Sequence, residues 1–271
     1  MQDGTWISQE TDGDSMTENV PATALITGAA KRIGRVIALD LAARGHDIVL
    51  HCNRSRGAAE ELAGDIREMG RQCHVVCADL ASETAMAGIV AEATDALGPV
   101  GLLVNNASTF EYDDVKSATR ESWDFHMDVN LRAPFVLSQE FARLLPEDQS
   151  GLIVNIIDQR VWNLTPHFTT YTLSKAGLWT LTQTLSLGLA PRIRVNAIGP
   201  GPVLPSVRQS QEDFDAQCRK TPLGIGTSPQ QICDAIRFFL AAPAVTGQML
   251  ALDGGQHMNW APADRDDLPV E

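Results

Sequence analysis

The sequence predicts an α/β protein, a doubly wound parallel sheet of about seven strands with helices on both faces. Two observations carry that prediction. Short apolar runs alternate with longer helix-type segments from residue 22 onward, the order that gives right-handed βα crossovers in one sheet. Several of the runs are apolar without alternation, as expected when helices cover both faces.

In chain order the predicted strands are Ala24–Thr27, Asp47–His51, His74–Ala78, Gly101–Asn105, Leu152–Ile157, Arg194–Ala197 and Met249–Leu252. Predicted helices fill the gaps: Gly34–Arg44, Ala58–Met69, Ser82–Leu97, Trp123–Leu144, Thr170–Leu189 and Pro229–Leu240. Ser228 before Pro229 reads as an N-cap followed by proline in the first turn. The stretch Pro200-Gly-Pro-Val-Leu-Pro205 breaks both periods, and a polar segment follows it to Lys220. It leaves the carboxyl end of the sixth strand, where ligands of such sheets bind, so a substrate-covering loop is expected there. The organisation read from this is an acidic leader (1–21), one domain (22–260) and an acidic tail (261–271), with Met16 as a second candidate start.

The 271 residues carry 21 basic and 34 acidic side chains, a formal charge of −13. Five acids and no base fall within residues 1–20, and residues 261–271 add a net −3, so the body is only mildly acidic. That balance argues against a nucleic-acid surface or an anionic-membrane binder. No apolar run approaches a membrane span, and the basic start and apolar run of a signal peptide are missing. The five cysteines show no disulfide-scaffold spacing. Cys73-His74-x-x-Cys77 lies in a strand-type run whose alternation would split metal ligands between faces, so no metal is expected. A cytoplasmic location is expected.

The first strand runs into Thr27-Gly-Ala-Ala-Lys-Arg-Ile-Gly34. Gly28 permits a tight turn, Gly34 lets the helix approach the sheet, and the helix N-terminus offers free N–H groups to a pyrophosphate. Arg32 stands where the usual middle glycine would, a long cation able to reach phosphate or substrate. The second strand ends in His51-Cys-Asn53-Arg54-Ser55. The acid that usually holds an NAD ribose is missing, and Arg54 with Ser55 suits a 2′-phosphate, so NADP(H) is the expected cofactor. Tyr171 and Lys175 are four apart on a predicted helix and share a face. An adjacent ammonium favours the phenolate of a tyrosine whose ordinary pKa is about 10.

These features resemble the short-chain dehydrogenase/reductase family over residues 22–256. The stretches that carry the resemblance are Thr27–Gly34, Ala78-Asp79-Leu80, Asn105-Asn106-Ala107-Ser108, Asn130, Tyr171-x3-Lys175, Pro200-Gly201 and Leu252-Asp-Gly-Gly255. The resemblance implies a Rossmann fold and a nicotinamide cofactor held also by Ile33, Asn106, Ala107, Pro200 and Gly201. It implies Tyr171 as proton donor, Lys175 on the nicotinamide ribose, Asn130 behind a relay water and Asp79 at the adenine. A homotetramer or dimer is usual in the family.

One departure is informative. A serine normally stands about thirteen residues before the tyrosine, and here Asp158 stands there. An ionised aspartate repels a developing alkoxide but suits a ring presenting N–H and amino groups. With Arg32 and the His51-x2-Arg54-Ser55 pattern, this is similar to the pteridine reductase subgroup. Carried over, Phe110 would sandwich a pterin against the nicotinamide, Ser108 and Arg32 would contact pterin and cofactor phosphates, Asp158 would pair with Tyr171, and Leu204 would line the substrate pocket. Three alternatives stand beside this: Phe110 as a core plug, a reductase of ketones such as 3-oxoacyl thioesters, and a non-catalytic NADP-binding protein.

Overall fold

The structure is a computed structural model that describes residues 19–206 and 209–258; the acidic leader, apart from its last three residues, and the acidic tail lie outside the described residues. Seven parallel strands form one sheet: β1 (Thr23–Ile26), β2 (Asp47–Cys52), β3 (Cys73–Cys77), β4 (Val100–Asn105), β5 (Gly151–Ile156), β6 (Ile193–Pro200) and β7 (Met249–Leu252). Their order is β3-β2-β1-β4-β5-β6-β7. It reverses between β1 and β4, which opens a crevice at the carboxyl ends.

Alternation along each strand sorts the core into two layers. Ala24, Ile26, Ile48, Leu50, Leu102 and Val104 face the layer that holds α1 (Arg32–Ala43), α2 (Arg56–Glu68) and, further along the sheet, α9 (Pro229–Ala241). Leu25, Val49, Leu103, Ile153 and Val195 face the other, with α4 (Ile89–Leu97) and α6 (Ala133–Leu144). Fully burying each such valine, leucine or isoleucine side chain is worth about 1.5–3 kcal/mol. β1 is buried at every position, so both faces of the central strand are covered as the unbroken apolar run requires.

The structure corrects the expected elements in five places. The helix expected over 82–97 divides at Gly88 into α3 (Glu83–Ala87) and α4, where glycine is the poorest non-proline helix former. The helix expected from Trp123 starts at Arg120 as α5 (Arg120–Met127), because Thr119 and Ser122 cap it reciprocally. A π-turn, Asp128–Arg132, then separates α5 from α6. β6 extends to Pro200, whose missing N–H would stop only a strand that needs it. The polar segment contains α8 (Gln211–Arg219), started by a Ser210–Asp213 capping box that its low apolar content concealed. Ser228 does cap α9, with Pro229 in its first turn.

Candidate active site

The crevice between β1 and β4 is a cavity of about 620 Å³. From Gly28 to Ser108 every expected cofactor residue lines it: Gly28, Arg32, Ile33, Gly34, His51, Asn53, Arg54, Ser55, Asp79, Leu80, Asn106, Ala107 and Ser108. The turn at its floor is tightly constrained. Gly28 has φ +63°, and a Cβ on Gly34 would sit 2.3 Å from the Gly28 carbonyl. Asn106 ties the end of β4 to this turn, its Nδ2 donating to the Thr27 and Gly28 carbonyls at 2.8 and 3.2 Å. The backbone N–H groups of Asn106 and Ala107 both donate to Thr27 Oγ1 at 3.0 Å.

His51 supports the turn from below. The Gly28 N–H donates to its Nδ1 at 3.3 Å, which leaves Nε2 to donate to the Ala78 carbonyl at 3.1 Å. Burial lowers its pKa, against the pull of the Ala78 carbonyl and Asp79, so the ring is a neutral strut.

Arg32 adopts φ +53°, the backbone a glycine would take at this fingerprint position. That left-handed conformation costs a non-glycine residue about 1–2 kcal/mol, a strain of the kind held at functional sites. Its guanidinium donates to the Pro205 and Leu204 carbonyls at 3.1 and 3.3 Å. The cation thus joins the phosphate-binding turn to the loop after β6.

A second cavity of about 310 Å³ adjoins the first and shares Arg32, Ile33 and Ser108 with it. Phe110, Asp158, Tyr171 and Leu204, the expected substrate-side residues, line it, and so does Gly201, an expected cofactor residue that does not line the first cavity. Tyr171 lies on α7 (Thr169–Gly188) and its hydroxyl donates to Asp158 Oδ2 at 3.0 Å. Asp158 Oδ1 accepts from the Arg160 N–H at 2.7 Å, which fixes the carboxylate plane. Lys175, one turn along α7, is 2% exposed and donates from Nζ to the Ile156 carbonyl at 2.9 Å. Burial lowers its pKa to about 8, with Asp158 opposing the shift. Lys175 and Pro200 line neither cavity; Lys175 sits beneath Tyr171, 5.8 Å from its ring centre.

Asn130 is fully buried in the π-turn. Its Oδ1 accepts from the Thr109 N–H and Ser108 Oγ, at 2.8 and 3.1 Å, and its Nδ2 donates to the Thr109 carbonyl and Ser174 Oγ, at 3.0 and 3.1 Å. The side chain therefore fastens the Ser108–Thr109 turn to α7. Phe110 is both packed against neighbouring rings and exposed to the second cavity. One face stacks on Phe168 at 4.4 Å and 13°, an edge contact to Tyr171 lies at 4.6 Å, and the ring still lines the second cavity.

Sequence reasoning missed several contributors. Gln159, Arg160, Ser206, Gln209, Phe214 and Gln217 also line the second cavity, brought there by α8 and by the turn after β5. Asp113 is 2% exposed and caps α7 across a gap of 57 residues, because the preceding residue, Phe168, lacks a capping side chain. Its carboxylate accepts from the Thr170 N–H and Ser122 Oγ, both at 3.0 Å, and from Thr170 Oγ1. His126 completes the group, with Nδ1 2.7 Å from Thr170 Oγ1 and Nε2 accepting from the Glu111 N–H at 3.1 Å. No spacing signal links residues so far apart.

The model of the family described as short chain dehydrogenase matches residues 22–216. Crystal structures of FolM alternative dihydrofolate reductase 1 from Brucella suis and from Brucella canis, each with NADP, are 49% and 48% identical to this chain. They cover 91% and 93% of it and 98% and 99% of their own chains, with TM-scores of 0.86 and 0.87. A 3-oxoacyl-[acyl-carrier-protein] reductase of Synechocystis sp. is 30% identical over 90% of this chain and 100% of its own. The cofactor expectation agrees with the two Brucella structures, and the sheet order agrees with the Rossmann expectation.

Proposed function

This chain belongs to the short-chain dehydrogenase family, and on that premise we propose that it is an NADPH-dependent reductase of a pterin ring. The observation that carries the reading is the Tyr171–Asp158 hydrogen bond at 3.0 Å under the edge of Phe110. A carboxylate at this point accepts from ring N–H and amino groups, and a flat heterocycle fits against an aromatic face. The likeness to the FolM structures supports the same reading.

In this reading Arg54 and Ser55 hold the 2′-phosphate and the Thr27–Gly34 turn holds the pyrophosphate. NADPH held there would supply the hydride needed to reduce a ring C=N bond. Tyr171 gives its proton to the neighbouring nitrogen, Asp158 orients the hydroxyl, and the Lys175 ammonium lowers the cost of the phenolate left behind. The enzyme is expected to be a cytoplasmic homotetramer, which light scattering on the purified protein checks. No described helix is long and apolar enough to cross a membrane.

The second reading, a 3-oxoacyl thioester reductase, is favoured by the Synechocystis relative. Asp158 opposes it, since a fixed carboxylate beside a developing alkoxide raises the barrier. NADPH oxidation against dihydrobiopterin, dihydromonapterin, dihydrofolate and an acetoacetyl thioester separates the two. The pterin reading expects turnover of at least one dihydropterin and its loss in Asp158→Ser. Good thioester turnover, unchanged in Asp158→Ser and with every dihydropterin inert, overturns it.

A further inference from the structure

Cys52 and Cys77 are the paired last residues of β2 and β3, directly opposite in the register. Their Sγ atoms lie 3.1 Å apart. Cys52 is 2% exposed and lines the cofactor cavity, while Cys77 is open to solvent. Adjacent strands place Cα atoms about 4.8 Å apart, within the range of about 4.4–6.8 Å that a disulfide spans. We propose that this pair is a peroxide-oxidisable dithiol whose closure to a disulfide weakens cofactor binding.

The accessible partner reacts first. Cys77 Sγ, as thiolate, attacks a hydroperoxide; the S–O bond forms, the O–O bond breaks, and the protonated leaving oxygen departs as alcohol or water. Cys52 Sγ then attacks the Cys77 sulfenic sulfur; the S–S bond forms and the S–O bond breaks, with the hydroxyl leaving as water and taking the Cys52 proton. Two thiols lose two electrons, and one hydroperoxide gains them. Burial pushes the Cys52 thiol up to about 12, so Cys52 is not the thiol that meets the hydroperoxide first.

The effect on the site follows from what the two strand ends carry. Asn53, Arg54 and Ser55 follow Cys52, and Asp79 and Leu80 follow Cys77 by two and three residues; both groups line the cofactor cavity. Closing the sulfurs from 3.1 Å to the bonded distance of about 2.05 Å turns Cys52 Sγ, part of the cavity wall, toward Cys77 and locks the two strand ends that carry these residues. The cavity wall at Cys52 is then altered, and the turns that follow it can no longer adjust to the cofactor.

The test uses the full chain, hydrogen peroxide, and NADPH titration without any substrate, so it is read independently of which ring is reduced. Peptide mapping after alkylation is expected to show a Cys52–Cys77 cross-link and an NADPH Kd at least fivefold weaker, both reversed by dithiothreitol. Cys77→Ser is expected to keep the untreated Kd and to lose the response. Oxidation of Cys77 to the sulfinic acid with Cys52 still alkylatable overturns the proposal. So does a cross-link that leaves Kd unchanged, or a loss of affinity that persists in Cys77→Ser.

Discussion

The cofactor cavity is walled mainly by the turns that directly follow β1, β2, β3 and β4, whereas the second cavity joins the chain after β5 and β6 to side chains brought by α7 and α8. In the first, glycines and backbone N–H groups supply the fit, and side chains such as His51 and Asn106 brace the backbone. The second is lined largely by side chains, and several reach it from α8 and its approach. A site made of backbone at strand ends is tied to the fold. A site made of side chains on loops is free to vary within it. That is why a 30%-identical relative named for oxoacyl thioesters and a 49%-identical one named for dihydrofolate can share one frame.

The sharpest way to separate the two regions is Tyr171→Phe. It is expected to lower kcat by about 10³-fold, within the usual range for a general acid, with NADPH Kd changed less than twofold by fluorescence titration. A matching loss of NADPH affinity would mean that the cavities are not separable.

Lys175 offers a second test through pH. Its folded-state pKa is about 8 against an ordinary 10.5, so folding favours the neutral amine. Below about pH 8 the protein carries the full penalty of a buried ammonium, and the penalty is relieved as pH rises toward 10.5. Without cofactor, stability relative to Lys175→Met is therefore expected to rise by about 3 kcal/mol over that window, at about 1.36 kcal/mol per unit. Activity should fall over the same window as the ammonium is lost. Denaturant melts of both proteins at pH 7.5 and 10 check this, and equal stability differences at the two values refute it.

Arg54→Ala addresses the cofactor cavity alone. Losing one charge-assisted contact, about 1.5–3 kcal/mol, should weaken NADPH tenfold or more and leave NADH unchanged; equal losses for both would remove Arg54 from the 2′-phosphate. Phe110→Ala is the mildest. A lost stacking contact of about 0.5–1.5 kcal/mol should raise the dihydropterin KM several-fold with NADPH Kd intact, and a shift in NADPH binding instead would place the ring on the wrong side of the boundary.

The same division governs what could be read from the chain. The strands were legible because their burial leaves an unbroken apolar signature, and the cofactor turns because each follows a strand within a few residues. Tyr171 and Lys175 were legible through helical spacing, and Asp158 through its departure from the family's serine. Arg32 was legible as an anomaly, but its bonds to Leu204 and Pro205 were not, since they join residues about 170 apart. Asp113, Thr170 and His126 form a group that exists only after the chain has folded, and each alone is an ordinary polar residue. α8 was hidden because its face toward the cavity is amide and aromatic rather than aliphatic.

The π-turn at Asp128–Arg132 makes length itself a constraint on this protein. Loops between the strands absorb an added or missing residue by bulging into solvent. Here the chain carries one residue more than α-helical winding would use. Removing it would restore ordinary winding while rotating α5 by about 100° relative to α6, swinging His126 away from Thr170 and Asn130 away from Ser108. Side chains along this helix can be exchanged without changing its winding, whereas the number of residues between His126 and Asn130 cannot.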